Sequence, residues 1–369
     1  MNTHIDEAQE MLRTSAREFL AENCPTKAVR EARSGATGLS CDLWNAMAGL
    51  GWQGLALPER CGGSSMSFLD LCLLIEELGR ACVPTPFVSA TAGSALLLAG
   101  AAREQDVPLL KSFALGEDLI VPALWGTAGA DGTTLLPTAR RANSGFTLDG
   151  AHAFVPFAAA ARHFVCAARM AAQPDEVALF LLPAAAPGTA LTPLESVSDD
   201  RPCILELSGA QAPDSSLICS GREAATLLEL ARQRIDAACC CDIAGALSWV
   251  LDDTVAYAKD RKQFGQPLGA FEVLQHYCAD MHVMLEGLRV SAYHAAWRLS
   301  EGLPASRDVA VACAWAHRVV PQFLSLAHQV HGAMGVTKEH DLHLYTTHAM
   351  PPGHTLLPRA DYLEAALSI

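Results

Sequence analysis

The residues best suited to chemistry stand in the corner RKQFGQPLGAF, which begins at Arg261. Gly265 and Gly269 admit a positive φ, and Pro267 cannot continue a helical hydrogen-bond ladder, so one helix should end here and the next begin. The planar fork of an arginine can hold a diphosphate through two parallel hydrogen bonds. Arg261 is therefore a candidate anion-binding residue, and the alternative interpretation is a helix C-cap with Phe264 buried as an apolar plug.

A second stretch, HQVHGAMGVTKEHDLH from His328 to His343, also follows a helical pattern and interrupts it. The breaks fall at Gly332 and Gly335. Because glycine has no Cβ, the backbone N–H groups at these positions can approach a flat or anionic group. This stretch is a second candidate for binding the same kind of ligand.

Together the two stretches resemble the acyl-CoA dehydrogenase family, which carries an R-x-x-FG corner and, later, a Q-x-x-GG-x-G-x-x-x-E turn. The matching residues are Arg261, Phe264 and Gly265 in the corner and Gln329, Gly332, Gly335 and Glu339 in the turn. Ala333 replaces the middle glycine of the turn. The pair of motifs is more specific than either one alone.

The resemblance implies a FAD-dependent α,β-dehydrogenation of an acyl-CoA thioester. In the family, a glutamate removes the α-proton, the β-hydrogen leaves as hydride to the flavin, and an electron-transfer flavoprotein takes the electrons. Such chemistry needs a carboxylate with a pKa raised by burial and donors that polarise the thioester carbonyl. The implied fold class is α+β, mostly α, with an N-terminal helical domain, a middle antiparallel β-domain and a C-terminal four-helix bundle.

The family's catalytic carboxylate has no clear counterpart. Some members carry it in a Glu-Gly-Thr stretch after the last glycine-rich turn, but the segment HAMPPGHTLLPR at 348–359 contains no acid. Others carry it early in the first bundle helix, where the spacing from Gly245 and Arg261 puts Ile235. Asp236 is adjacent but about 100° away around a helix. The catalytic residue is therefore unknown, and the other acids of these regions are Glu229, Glu339 and Asp341.

The residues that usually hold the flavin ring are depleted as well. The family's Thr-Glu-Pro-x-Ala-Gly-Ser-Asp loop corresponds to LWGTAGAD at 124–131, and its Trp-Ile-Thr strand end corresponds to FVP at 154–156. Pro156 has neither a hydroxyl nor an N–H group to donate. Glu272 replaces a Gln of the family, and Thr347-His348-Ala349 replaces its Arg-Asp-Ala.

The intact elements are those that a neighbouring subunit uses in family tetramers, where the corner and the turn contact the FAD of the adjacent chain. The resemblance gives the cofactor-binding candidates Arg261, Gln263, Phe264, Gln329, Val330, His331, Gly332 and Ala333. The leading hypothesis is a partner (β-like) subunit of a heteromeric acyl-CoA dehydrogenase, with a homologous catalytic subunit, an acyl-CoA substrate and an electron-transfer flavoprotein as partners. A bulky acyl group such as a steroid side chain is an analogy only.

Three other functions stay open. The first is a self-sufficient homotetrameric dehydrogenase with a displaced base such as Asp236. The second is a flavin-free scaffold or binding protein, and the third is a flavin monooxygenase or oxidase on the same scaffold.

Composition restricts the class of protein. A net charge of −14 and the lack of a basic block exclude a phosphate-backbone nucleic-acid binder. The apolar runs fall short of the ~18 residues of a membrane span, and the acidic N-terminus does not resemble a signal peptide, so we expect a cytoplasmic protein. Thirteen cysteines spread through 369 residues favour reduced thiols.

Periodicity separates three segments, 1–117, 118–218 and 219–369. Apolar i, i+3, i+4 spacing predicts helices in the first and last, including one opened by Ser67 and Asp70 and a final one after Thr337. Short β-type runs predict five strands in the middle segment as a small antiparallel barrel or sandwich, at 119–124, 146–148, 163–167, 177–182 and 204–207.

Histidines offer one further possibility. His328 with His331 and His340 with His343 stand at i, i+3 spacing, which can place two rings on one helical face. The first pair coincides with the implied FAD turn, and no converging cysteine or acid spacing supports it. We therefore predict no metal site.

Overall fold

A computed structural model describes residues 5–128, 134–197 and 200–350, together with Tyr362 and Ala366. The chain divides into two units, each assembled from segments that are distant in sequence. The helical unit comprises 1–31, 67–83 and 236–369, and the sheet unit comprises 32–66 and 84–235. The consecutive segments predicted from periodicity stay a prediction.

Helices make up most of the described residues. They are α1 (Glu7–Asn23), α2 (Thr26–Ser34), α3 (Cys41–Gly49), α4 (Phe68–Arg80), α5 (Leu96–Ala101), α6 (Val107–Ala114), α7 (Gly221–Asp260), α8 (Glu272–Ser300), α9 (Ser306–His331) and α10 (Leu342–Ala349). A π-helix, Val88–Ala95, precedes α5. The predicted helix after Thr337 is confirmed by α10.

In the helical unit, α4 contacts both α1 and α8. Its start is the predicted one, because the Ser67 side chain accepts a hydrogen bond from the Asp70 N–H and the Asp70 side chain accepts one from the Ser67 N–H. Such a reciprocal cap satisfies two donors that a helix otherwise leaves free. The capping box therefore fixes where this central helix begins.

The helical unit buries an ionic network around two acids of α4. Glu77 accepts hydrogen bonds from Arg17 Nε at 2.9 Å and from Arg13 Nε at 3.2 Å. Glu76 accepts from Arg289 Nε at 2.9 Å and from the Tyr293 hydroxyl. The hydrogen bond that Arg17 donates to Glu77 raises the pKa of Arg17. Each carboxylate is thus compensated by cations inside the unit.

Small residues let α4 and α7 approach closely. A Cβ at Gly245 would stand 1.9 Å from the Glu76 carbonyl oxygen, and one at Gly79 would stand 2.0 Å from that of Asp242. The cysteine run of α7 is buried and fills the same core, with Cys240 Sγ 3.7 Å from Cys313 Sγ. These side chains pack as small apolar groups.

The segment Ser306–Val336, which contains α9, is long and apolar enough to cross a membrane by length and composition. More than half of its most apolar window, 56%, is buried inside the protein. A core helix passes the same test, and α9 contacts α8 within the helical unit.

The sheet unit contains an eight-stranded sheet. Its strands are β1 (Ile120–Ala123), β4 (Thr138–Ala142), β5 (Gly145–Val155), β6 (His163–Met170), β7 (Gln173–Pro183), β8 (Thr189–Pro193), β9 (Cys203–Ala212) and β10 (Leu217–Ser220). Two short hairpins complete the strand set, β2 (Thr127–Ala128) with β3 (Thr134–Leu135), and β11 (Lys262–Gln263) with β12 (Gln266–Pro267).

The five predicted strands are confirmed, and most pairings in the sheet are antiparallel as expected, but two pairings are parallel. β6 pairs in parallel with β1 and with β4, while its pairing with β7 is antiparallel. Parallel neighbours need a long connection, which the sequence pattern does not reveal. The strands β4, β8 and β10 were not predicted, because their sequences lack the apolar runs by which the other strands were recognised.

The π-helix lies against β1 inside the sheet unit, and it is almost wholly buried. A Cβ at Gly93 would stand 2.9 Å from Ile235 Cδ1 and 3.3 Å from Pro122 Cγ. The first half of α7 therefore packs closely on this segment. Ile235, where the resemblance places the base in some family members, is a fully buried apolar contact.

Candidate functional site

The corner after α7 is a hairpin. Lys262 and Gln263 of β11 pair with Pro267 and Gln266 of β12, and the two residues between them have φ of 54° at Phe264 and 82° at Gly265. Two successive positive φ values are the mark of a tight turn that suits glycine but strains a phenylalanine. The turn thus holds an aromatic residue in an unfavourable backbone conformation.

Phe264 is 92% exposed. The interpretation of this residue as an apolar plug in a helix C-cap is therefore wrong, because the hairpin carries the ring outward instead of returning it to the core. Its ring meets Phe271 edge to face, with centroids 6.2 Å apart. An exposed and strained aromatic residue is typical of a binding position.

Arg261 directly follows α7 and is exposed. Its backbone closes the corner, because its N–H donates to Tyr257 O at 2.9 Å and its carbonyl accepts from the Leu268 N–H at 2.8 Å. No carboxylate within the described ranges forms an ion pair with its guanidinium. The fork is positioned by a rigid backbone and available to an anion.

The second turn begins in the last helical turn of α9. The side chain of Gln329 is exposed, whereas those of Val330 and His331 are buried. Gly332 and Ala333 are exposed, and Gly332 has φ of 57° with open space where a Cβ would stand. The predicted cofactor-binding residues of this turn therefore divide into a surface group and two core residues that support it.

The structure brings the corner and the turn together through Tyr257 and His331, whose rings stack with centroids 4.6 Å apart. Tyr257 lies one helical turn before Arg261, and His331 lies two residues after Gln329. Tyr257 and Asp253 were not among the predicted site residues. Their signal was the i, i+4 spacing of Asp253, Tyr257 and Arg261 along one face of α7.

Asp253, His331 and His340 form a polar cluster with their ligand-type atoms within 4.8 Å of one another. His331 Nε2 lies 3.1 Å from Asp253 Oδ2, and its Nδ1 lies 2.8 Å from Ala327 O. His340 Nδ1 accepts the Leu342 N–H at 3.1 Å, which leaves its proton on Nε2, the atom that faces Asp253. A protonated nitrogen cannot ligate a metal, so these bonds favour a hydrogen-bonded cluster.

The two predicted histidine pairs do not converge as pairs. His328 Nε2 lies 2.8 Å from Thr346 Oγ1, and His343 Nδ1 lies 2.7 Å from His340 O. Burial, followed by the neighbouring His331 and His340, lowers the pKa of His328. These contacts stabilise the segment between α9 and α10.

Arg30 stabilises the same segment. Its Nη1 donates to Lys338 O at 2.8 Å, and its Nη2 pairs with Asp341 Oδ1 at 2.6 Å. The turn after α9 is thus held from one side by Asp253 and Tyr257 and from the other by Arg30.

None of the acids considered as a displaced base lies in the environment that a catalytic base needs, which is a buried carboxylate free to accept a proton. Asp236 is buried, and its Oδ2 accepts the Tyr362 hydroxyl at 2.9 Å. Asp341 pairs with Arg30, and the exposed Glu229 accepts from Gln233 Nε2 at 2.8 Å. Glu339 is exposed. None of these four combines burial with a free carboxylate.

FAD fits this chain in part. The free fork of Arg261, the exposed Phe264 and the open backbone at Gly332 suit a dinucleotide. The strand end that should hold the ring offers less, because Pro156 is a buried residue without an N–H group and Phe154 is 47% exposed with φ of 53°. The part of the LWGTAGAD loop at 129–131 lies outside the described residues.

His152 of β5 also departs from a polar flavin cradle. Its Nδ1 lies 3.0 Å from Trp125 O, and its buried Nε2 meets no hydrogen-bond partner among the described residues. Burial lowers the pKa of His152 to about 4. A neutral imidazole therefore stands where the first described part of the loop approaches β5.

Comparison with known proteins agrees with this geometry. The acyl-CoA dehydrogenase N-terminal domain matches residues 6–117, and the acyl-CoA dehydrogenase C-terminal domain matches residues 221–351. Acyl-CoA dehydrogenase FadE27 of Mycobacterium tuberculosis is 30% identical over 326 residues, which cover 82% of this chain and 81% of FadE27. Acyl-CoA dehydrogenase FadE34 of the same organism is 32% identical over 93% of this chain, but the chain spans only 44% of FadE34.

Two solved structures extend the comparison. The ChsE4-ChsE5 complex from Mycobacterium tuberculosis has a TM-score of 0.91 at 25% identity and covers both chains completely. A variant of the Tcur3481-Tcur3483 steroid ACAD has a TM-score of 0.86 at 28% identity, over 98% of this chain and 96% of that one. The family matches support FAD as the cofactor. On sequence, fold and motif geometry, the chain belongs to the acyl-CoA dehydrogenase family.

Proposed function

We propose that this chain is the partner subunit of a heteromeric FAD-dependent acyl-CoA dehydrogenase. It completes a FAD site whose catalytic base and flavin-ring contacts come from a homologous catalytic subunit. The observation that carries the proposal is the contrast between an outward-facing anion-binding corner at Arg261 and a chain whose own acid and ring-binding positions are unsuited to the reaction.

The corner and the turn supply the contacts that a dinucleotide needs. Arg261 binds the diphosphate with its fork, and the backbone at Gly332 approaches the same anion, as two charge-assisted contacts of this type do. Phe264 and Gln263 lie on the exposed hairpin, and Gln329 and Ala333 lie on the exposed turn. Val330 and His331 position that turn from the core.

The same residues define what this chain does and does not do in the reaction. Bound FAD supplies the acceptor for the β-hydrogen of the acyl thioester. This chain holds the outer part of the cofactor and excludes water from it with the exposed ring of Phe264. Ile235, an apolar residue, cannot remove a proton, so proton removal belongs to the other subunit.

The relatives support the finer parts of the proposal. The neighbour of this chain in the ChsE4-ChsE5 structure is part of a complex of two named proteins, which supports a heteromer. The steroid ACAD supports a bulky acyl group such as a steroid side chain. An electron-transfer flavoprotein accepts the electrons in this scheme, and 13 free cysteines support a cytoplasmic location.

Co-expression tests the proposal. This chain is tagged and produced alone, and then with a catalytic acyl-CoA dehydrogenase subunit encoded beside it, and the FAD released on denaturation is measured per chain. We expect little FAD in the lone chain and a FAD-containing complex with fewer cofactors than chains. Arg261→Met in the complex should weaken FAD binding about 10-fold or more, because a charge-assisted contact to the diphosphate is lost.

Lys262→Met is the matched control, since Lys262 is an exposed cation of the same hairpin, and it should retain FAD. A lone chain that purifies with stoichiometric FAD and dehydrogenates acyl-CoA would contradict the proposal. That result would favour the homotetrameric alternative, in which this chain supplies its own catalytic base. If Asp236 is that base, Asp236→Asn should abolish the activity.

A further inference from the structure

His331, the last residue of α9, lies between two groups that accept hydrogen bonds and cannot donate them. Its Nδ1 lies 2.8 Å from the carbonyl oxygen of Ala327, and its Nε2 lies 3.1 Å from Asp253 Oδ2. A carbonyl and an ionised carboxylate offer only lone pairs, so each ring nitrogen needs a proton to make its contact. Either neutral tautomer would set a nitrogen lone pair against an oxygen lone pair. The geometry therefore requires an imidazolium.

The surroundings of the ring stabilise that charge. The side chain of His331 is 0% exposed, and Asp253 supplies the counter-charge that a buried cation needs. Because an imidazole is ordinarily a stronger base than a carboxylate, the proton between them resides on Nε2. Tyr257 stacks on the ring at 4.6 Å, which suits a cation on an aromatic face, and the C-terminal end of a helix favours positive charge.

The other histidines that face His331 do not carry this charge. His340, on the segment after α9, meets the ring of His331 at a steep angle, with centroids 4.9 Å apart. Its Nδ1 accepts the Leu342 N–H, so its proton lies on Nε2, which faces Asp253 Oδ2 at 3.9 Å. Burial, followed by His331 and His340, lowers the pKa of His328 on α9. His331 is thus the cation of this group.

Arg30 of α2 contacts the same segment through the carbonyl oxygens of Lys338, at 2.8 Å, and His340, at 3.4 Å. Its charge is compensated by Asp341, whose Oδ1 lies 2.6 Å from Arg30 Nη2. Asp253 is therefore available to His331.

The ion pair joins the elements that carry the corner and the turn. Asp253 lies about two helical turns before Arg261 on α7, and His331 directly precedes Gly332. The contact between Asp253 and His331 therefore fastens the turn to the helix that leads into the corner. The side chain of Asp253 is 28% exposed, so the buried ring can exchange its proton with solvent on this side.

We propose that the Asp253–His331 ion pair is a proton-dependent lock that positions the FAD-binding turn at Gln329 and Gly332 against α7. The inference rests on the proposed FAD site and adds its regulation by protons. When the ring loses its Nε2 proton to solvent, the contact with Asp253 changes from attraction to repulsion between lone pairs. The turn is then released from α7, and the affinity for FAD falls. Asp253 and His331 are positioning residues, because they act through the turn.

Nuclear magnetic resonance of the histidine nitrogens tests the charge state without FAD. The full-length chain is produced alone with isotope-labelled histidine, and long-range proton–nitrogen correlation distinguishes protonated ring nitrogens from bare ones. The signals of His331 are identified by their loss in His331→Gln. We expect both nitrogens of His331 to be protonated at neutral pH. Asp253→Asn offers an N–H in place of a lone pair, so it should leave only Nδ1 protonated. A bare nitrogen in wild-type His331 at neutral pH would overturn the inference.

The pH dependence of FAD binding tests the lock. The deflavinated complex is titrated with FAD from neutral to alkaline pH, and binding is followed by flavin fluorescence. We expect wild-type affinity to fall as pH rises, toward a limit of about 10-fold per pH unit for release of one proton. Asp253→Asn should show a shallower dependence, because its contact with Nε2 no longer needs that proton.

Asp252→Asn is the matched control, since it removes the same charge from a neighbouring position of α7 whose side chain is 64% exposed. It should keep both the wild-type pH slope and the doubly protonated His331. Equal slopes in the wild type and Asp253→Asn, or FAD binding by the wild type that does not change with pH, would overturn the lock.

The proposed partner function is judged on different evidence, by the FAD content of the co-purified complex and its loss in Arg261→Met. If the lone chain carries FAD, the partner function fails, and the same pH titration is done on that chain. The protonation of His331 is measured without FAD, so the two proposals can fail independently.

Discussion

The rings of Tyr257 and His331 lie nearly face to face, with centroids 4.6 Å apart and 28° between their planes. This stack joins the end of α7, which carries Arg261, to the end of α9, which carries Gln329. Two motifs that are distant in sequence thereby become one surface of the helical unit.

Removing this stack should loosen both motifs. Tyr257→Leu is expected to lower the free energy of unfolding by about 1 kcal/mol, the usual contribution of an aromatic pair beyond its buried area. It should also weaken FAD retention in the complex. Chemical denaturation and released FAD measure the two effects, with Tyr277→Leu on α8 as control. Unchanged FAD retention would mean that the stack does not position the turn.

The hairpin residue Phe264 should matter for assembly and not for folding. Because its ring is 92% exposed and its φ is 54°, Phe264→Asn should leave stability within about 0.5 kcal/mol or raise it, since asparagine tolerates this conformation. Affinity for the catalytic subunit should fall about 10-fold, as expected of an aromatic anchor. Binding is measured by interferometry, and Leu303→Asn in an exposed loop should not change it. A large loss of stability would contradict this assignment.

The buried network of α4 should be costly to break. The Glu77 side chain is 1% exposed, and Glu77→Ala leaves Arg13 enclosed without one of its acids. We expect a loss of about 3 kcal/mol in urea unfolding, as for one partner removed from a buried ion pair. Glu10→Ala, whose side chain is 63% exposed, should cost under about 1 kcal/mol. Equal effects of the two variants would show that burial does not set the strength of this network.

Acidification should destabilise the sheet unit through His152. Burial lowers its pKa to about 4 in the folded chain, below the ordinary value of 6.5, so protonation favours unfolding. The stabilising contribution is complete above pH 6.5 and declines as pH falls toward 4, by about 2 kcal/mol between pH 6.5 and 5.

Denaturation at several pH values checks this. His152→Leu should show a shallower decline in stability over that range than the wild-type chain. His276→Leu, which changes a histidine with a 72% exposed side chain, should follow the wild-type slope. Parallel curves for wild type and His152→Leu would refute the prediction.

The thiols should divide sharply by burial. Cys41 is exposed, Cys278 is partly exposed with a pKa raised by burial, and the other cysteines are buried. Native protein should therefore react with a thiol reagent quickly at Cys41, slowly at Cys278, and elsewhere only on unfolding. Cys41→Ser should remove the fast phase, while Cys24→Ser should leave it unchanged. Rapid labelling of buried thiols would show that the core opens readily.

The helices and five strands were predictable because their signals are local. Ser67 with Asp70 specified a helix start, and alternation or apolar runs specified strands such as β6. The parallel pairing of β6 with β1 and β4 was not predictable, because register and direction between distant strands depend on the connections and not on local pattern. The interpretation of Phe264 as a buried apolar plug was wrong for a similar reason. The exposure of its ring depends on the direction in which the hairpin leaves the helix, and the local sequence does not specify that direction.

The sequence by itself determined the family resemblance, the places of Arg261 and the Gln329 turn, and the lack of an acid at the usual positions, because these depend only on residue type and spacing. Only the tertiary structure decided that Tyr257 and His331 join the two motifs, that Phe264 faces solvent, and that Ile235 is buried against the π-helix. Those facts depend on which residues, distant in sequence, become neighbours in the fold. Ring stacking, burial and exposure are set by those neighbours, and residue type and spacing do not specify them.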